Sequence, residues 1–232
     1  MLNTKAKVPA ISAFTLLSLV IFAFASMFAC SVMTKWYGII VGLVLMIAAI
    51  PFHCRGKDAS WCYMVSFLIN STGNGFALSA VFIKNGYEVK ISDMLLAIIP
   101  SAVLLLIVCL VLQLFGKAKK ATVTLACIAD VVLIVIYIIR WITKDNDVFD
   151  SFAFFSLLIT FFYLCVFGFA VNHENRKTLR FVSFGSFGAF IAVAFVAAFV
   201  VSEGDVLDGI EVLPDTDTRV KKKKVYKQKP SP

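Results

Sequence analysis

Seven apolar runs with few or no charges, each about 17 to 25 residues long, decide what this chain can fold into. They cover about 8–32, 36–52, 61–83, 94–115, 122–142, 151–171 and 181–201. A bilayer core of about 30 Å is crossed by about 20 helical residues rising about 1.5 Å each. Inside lipid no water can satisfy a backbone N–H or C=O, so runs of this length must be helices. A membrane barrel would instead show alternating strands of about 10 residues. The expected fold is therefore all-α, a polytopic membrane bundle of seven transmembrane helices with short loops. Composition agrees: 60% of residues are hydrophobic and 16% charged, against about 25% charged in soluble domains. A soluble globular domain, a disordered chain and a disulfide scaffold are excluded.

Three regions follow: a short N-terminus over 1–7, the seven-helix domain over 8–201, and a charged C-terminal tail over 202–232 that is expected to be disordered. The loops carry turn and charge signals, among them Arg55-Gly56-Lys57-Asp58 and Asn85-Gly86. The first run is too long for the apolar core of a signal peptide, about 7–15 residues, and is read as a retained helix. Lysine and arginine in the N-terminus and in the second, fourth and sixth loops outnumber those in the other loops ten to five. Basic residues stay on the cytoplasmic side. This places the N-terminus in the cytoplasm, the C-terminus outside, and the chain in the cell membrane. A re-entrant third segment would return the tail to the cytoplasm but erase that bias. The tail is acidic from Glu203 to Asp217 and basic from Arg219 to Lys229. That composition cannot fold alone, and its lysines suit an anionic partner such as lipid headgroups.

The third run holds the most informative residues. Asn70-Ser71-Thr72-Gly73-Asn74-Gly75 interrupts it at mid-membrane. Glycine weakens a helix by about 1 kcal/mol relative to alanine, and asparagine needs partners that lipid lacks. Gly73 and Gly75 are therefore expected to break the helix, and Asn70, Ser71, Thr72 and Asn74 to line a substrate or ion site, as unwound helices do in transporters. The competing view is helix packing, because small and amide residues share one stripe through Ser66, Asn70, Gly73, Asn74 and Ala77.

Asp130 lies near the middle of the fifth run and reads as its only acid at depth. An Asp there costs about 2.5–3.5 kcal/mol on insertion, and such a residue is by default a candidate proton- or cation-coupling group. Its structural alternative is a bond to a neighbouring helix, with Asn70 or Asn74 as partner. Pro100 lies within the fourth run and is expected to kink it, since its ring clashes one turn back. Gly185, Gly188, Ala189 and Ala192 form a small-residue surface for another helix, in this chain or a second copy. Arg140 and the tryptophans at run ends read as interfacial anchors.

His53, Cys54 and Cys62 match no established zinc spacing, so no metal and no cofactor is expected. The chain has no His-Glu-x-x-His pair, nucleophile elbow or phosphate loop, and no enzymatic activity is expected. Its net charge of +8 is spread through the loops, which excludes a nucleic-acid role. Two classes of function remain. One is a small permease, or the membrane subunit of a transport system, acting on a small molecule or ion. The other is a non-transporting membrane component, joined to a membrane-protein partner or a second copy, whose polar residues only tie helices together.

Overall fold

A computed structural model describes residues 4–114, 119–143, 147–170 and 175–211. They form eight helices: α1 Thr4–Val32, α2 Lys35–Arg55, α3 Trp61–Lys84, α4 Ile91–Ala97, α5 Ile99–Leu114, α6 Lys119–Thr143, α7 Val148–Ala170 and α8 Asn175–Glu211. No strand occurs among the described residues. Seven spans are long and apolar enough to cross a bilayer, with α4 and α5 together making the fourth.

Local chemistry sets the helix ends. Asn85 and Gly86 close α3: Gly86 takes a φ of +64°, the left-handed conformation glycine reaches without strain. The Tyr87 N–H then reaches back to the Phe82 carbonyl at 3.1 Å, a closure typical of a glycine-terminated helix. Asp147 starts α7, its carboxylate accepting the Asp150 N–H at 2.7 Å. The fourth span breaks at Ile98. Pro100 sits two residues further on, where it cannot donate to the preceding turn and its ring crowds a carbonyl four residues back.

α3 and α7 are the interior spans, while α2 and α6 turn most of their residues outward. The outward faces are aliphatic, as at Ile40, Val44 and Ile47 of α2 and Val132, Ile136 and Ile139 of α6. In a bilayer such faces meet lipid and need no cover. α3 packs on α1 and α2, and α7 on α6 and α4. Phe67 meets Tyr163 at one level and Phe82 meets Phe152 at another, so α3 and α7 run antiparallel. Phe22 of α1 stacks on Phe152 with centroids 4.7 Å apart and completes the aromatic centre.

Three expectations change. First, α3 is one unbroken helix: Gly73 and Gly75 do not interrupt it, and no re-entrant segment forms. Close packing is what the glycines provide. A Cβ on Gly42 of α2 would stand 2.8 Å from the Gly73 carbonyl, and one on Gly75 would stand 2.5 Å from the Ala25 Cβ and 2.7 Å from the Phe22 carbonyl of α1. Neighbours at that distance stabilise the helix that glycine's propensity alone would weaken. Second, α8 continues to Glu211, so the first ten residues of the expected tail are helical. The rest of the tail, 212–232, lies outside the described residues. Third, Gly185 and Gly188 of α8 meet Val166 and Phe162 of α7, so part of the small-residue surface is used within this chain.

Candidate functional site: a buried polar seam

A helix turns about 100° per residue, so the six residues from Asn70 to Gly75 face different neighbours instead of lining one opening. Ser71 points to α1 and α7. Its hydroxyl donates to the Phe67 carbonyl at 2.9 Å, which leaves Ser18 as the donor in the 2.9 Å Ser18–Ser71 pair. The Tyr163 hydroxyl of α7 faces both serines without a hydrogen bond of standard geometry. Asn70 points to α8, its Nδ2 donating to the Ser186 hydroxyl at 3.0 Å. Ser186 donates in turn to the Ser183 carbonyl at 2.6 Å, and the Ser183 hydroxyl pairs with His53 Nδ1 at 2.8 Å. This chain of contacts joins α3, α8 and α2. Thr72 donates to the Leu68 carbonyl within its own helix.

Asn74 differs from these residues. It is fully buried, and neither atom of its amide has a partner. The Asn70 Oδ1 and the hydroxyls of Ser66, Ser101 and Ser156 are also buried and unpartnered.

Asp130 is the sharper case. Of the described side chains in α6, only Ala126, Asp130 and Tyr137 are buried, and Asp130 has no exposed surface. Neither carboxylate oxygen has a hydrogen-bond partner, so the sequence-level pairing with Asn70 or Asn74 does not form. Its electrostatic neighbours are the thiols of Cys127 and Cys165, which interact with each other across the α6–α7 contact. The five residues singled out in the sequence are therefore not brought together: Asn70 pairs with Ser186, Ser71 with Ser18, Thr72 with its own helix, Asn74 is buried alone and Asp130 lies beside two cysteines. Asn74 and Asp130 are the two left without partners.

Sequence reasoning missed Asp150. It is 4% exposed, so Asp130 is not the only buried acid. Arg140, read as an interfacial anchor, bridges to it with Nη2 2.9 Å from Oδ1 and 3.2 Å from Oδ2, and also lies over the Tyr137 ring. The available signal was the spacing Asp147-x-x-Asp150 before an apolar run, which marks a helix start. Lys84 ends α3. It donates to the Val200 and Val201 carbonyls at 2.9 and 3.0 Å and ties the end of α3 to α8.

Among the described residues no three His, Cys, Asp or Glu side chains gather as metal ligands. Cys54 is exposed and Cys62 buried, while His173 lies outside the described residues.

Seven apolar spans around a polar seam define a multi-pass helical membrane protein. Compared with known protein families, curated proteins and solved structures, the chain finds no match.

Proposed function

We propose that this protein is a small permease, or the membrane subunit of a transport system, in which Asp130 takes up and releases a proton or cation and Asn74, Asn70 and Ser71 supply neighbouring polar groups. One observation carries this reading: the Asp130 carboxyl is fully buried with neither oxygen bonded. An unpaired polar group out of water costs about 2–7 kcal/mol on transfer scales. A carboxyl retained only to tie helices together would have a partner, and the same pair of helices supplies the comparison: the Asp150 carboxylate of α7 has Arg140 of α6. A proton or cation that binds and leaves is a partner of the kind Asp130 lacks.

The test is Asp130→Asn, which keeps the shape and removes the titratable group. Full-length protein is reconstituted into vesicles loaded with a pH-sensitive dye, and proton flux is followed under an imposed potential. The expected result is flux in the parent that the variant loses. Equal flux in both, or none in the parent, would reject the proposal.

A second reading has its own support. The unbroken α3, the Gly42–Gly73 approach and the Asn70–Ser186 bond suit a non-transporting component whose polar residues fasten helices. We place the protein in the cell membrane with its N-terminus in the cytoplasm, on the loop charges. A single cysteine introduced into the tail and labelled only from the cytoplasmic side would reverse that orientation.

A further inference from the structure

We propose that the seam of α2, α7 and α8 holds one anionic phospholipid, its phosphate between His53, Lys177 and Arg180 and one acyl chain in the groove between α7 and α8. This site is separate from the polar seam and does not depend on transport. A cavity of about 550 Å³ opens where the end of α2 meets the start of α8, walled by those three residues with Phe181 and Phe184. No acid is among its described lining residues. Lys177 and Arg180 are exposed and form no ion pair among the described residues. The Ser183 hydroxyl engages His53 Nδ1, which leaves Nε2 for a ligand. Two cations and an imidazole on an aromatic base suit a phosphate better than a carboxylate-bearing peptide, since its described lining residues offer no other polar side chain.

The second half of the argument is continuity. Phe181 and Phe184 also wall a separate apolar cavity of about 310 Å³ that runs down between α7 and α8 over Gly185 and Gly188. Gly185 and Gly188 both line that cavity, beside Val166 and Phe162 of α7. From Phe181, where the apolar run begins, to Gly188 the helix rises about 10 Å, about two thirds of one leaflet of a hydrocarbon core of about 30 Å. The cations thus sit just outside the apolar run and the groove reaches into the leaflet. Phe184, 65% exposed, stands between head and tail compartments. A free phosphate would use only the upper cavity, and a lipid without net negative charge would gain little from the cations there. Basic pockets between membrane helices are recognised headgroup sites.

The full-length protein is purified in mild detergent and titrated with phosphatidylglycerol, phosphatidylcholine or inorganic phosphate, with bound species counted by native mass spectrometry. One phosphatidylglycerol per chain is expected, held at least about tenfold more tightly than phosphatidylcholine. Loss of both cations in Lys177→Gln/Arg180→Gln should weaken it about thirtyfold, at about one basic contact's contribution each. Both side chains are exposed, so folding is spared. Phe184→Ala should weaken phosphatidylglycerol and leave phosphate binding unchanged. Equal retention of the two lipids, or indifference to the double substitution, would overturn the site. Millimolar phosphate that displaces the lipid, with Phe184→Ala having no effect on either, would overturn the lipid assignment.

Discussion

Replacing Gly75 with alanine separates two incompatible accounts of the third span by the sign of its effect. If the glycine weakened the helix there, alanine would raise stability by about 1 kcal/mol through propensity. The packing says otherwise. An added Cβ would lie 2.5 Å from the Ala25 Cβ, 2.7 Å from the Phe22 carbonyl oxygen and 2.8 Å from the Ser26 nitrogen. Carbon atoms rest at about 3.5–4.0 Å, so α1 and α3 must part by about 1 Å. Two of the three obstacles are backbone and cannot swing aside. Overpacking of this kind costs about 1–3 kcal/mol, and the propensity gain of about 1 kcal/mol offsets part of it, leaving a net loss of up to about 2 kcal/mol. The neighbouring Gly73→Ala is the control. Its Cβ meets the Gly42 carbonyl at 3.1 Å and the Phe190 ring at 3.3 Å. A ring can turn, so the two terms should nearly cancel.

Thermal unfolding of the purified full chain in one detergent, followed by loss of helicity, is the assay. For a chain of this size about 2–4 °C accompanies each kcal/mol, so Gly75→Ala should lower Tm by up to about 8 °C while Gly73→Ala stays near the parent. A rise in Tm for Gly75→Ala would refute the packing account and restore the helix-breaking one.

Arg140→Gln should destabilise by about 1–3 kcal/mol, below the figure for a fully buried pair because the arginine is 41% exposed while Asp150 is 4% exposed. Adding Asp150→Asn to it should recover much of that loss in a double-mutant cycle, and no recovery would show that the uncompensated carboxylate is not the cause. Tyr87, in the loop after α3, has its phenol pushed above the ordinary value near 10, chiefly by burial and then by Asp147, with Ser151 and Asn85 pulling the other way. As pH climbs past 10 the unfolded chain loses that proton before the folded one, so stability is full below that pH and falls above it. Tyr87→Phe should flatten the alkaline limb of a Tm-against-pH curve, and an unchanged slope would exclude Tyr87 as its source.

The spans were legible because membrane insertion is a local property: twenty apolar residues need no knowledge of their neighbours. The Ile98 break was legible for the same reason, since proline acts on its own turn. The third span was not, because glycine has opposite consequences depending on what stands against it. Only the positions of Ala25 and Phe22, some fifty residues earlier in the chain, turn Gly75 from a weak point into a contact. Asn70 is similar, its partner Ser186 lying on the last helix. Asp150 escaped notice because its burial depends on an arginine across a loop.

Asp130 and Asp150 lie on adjacent helices and differ in what surrounds them, and that difference locates where change can occur. α6 is among the most outward-facing spans and is held by few buried side chains. Near one end its attachment is strong, with Arg140 on Asp150 and Tyr137 beneath the guanidinium. Towards its middle the attachment passes through Asp130, whose carboxyl gains no bond from α7. A seam built only for stability would carry an aliphatic residue there, because replacing a buried charge with a packed apolar group is commonly neutral or stabilising. The energy left unsatisfied at Asp130 is available to whatever binds it, and a ligand shifts a structure only by its difference in affinity between two states. With one end pinned by an ion pair and the middle reached through an unpartnered acid, α6 is the span on which the proposed proton or cation at Asp130 would act.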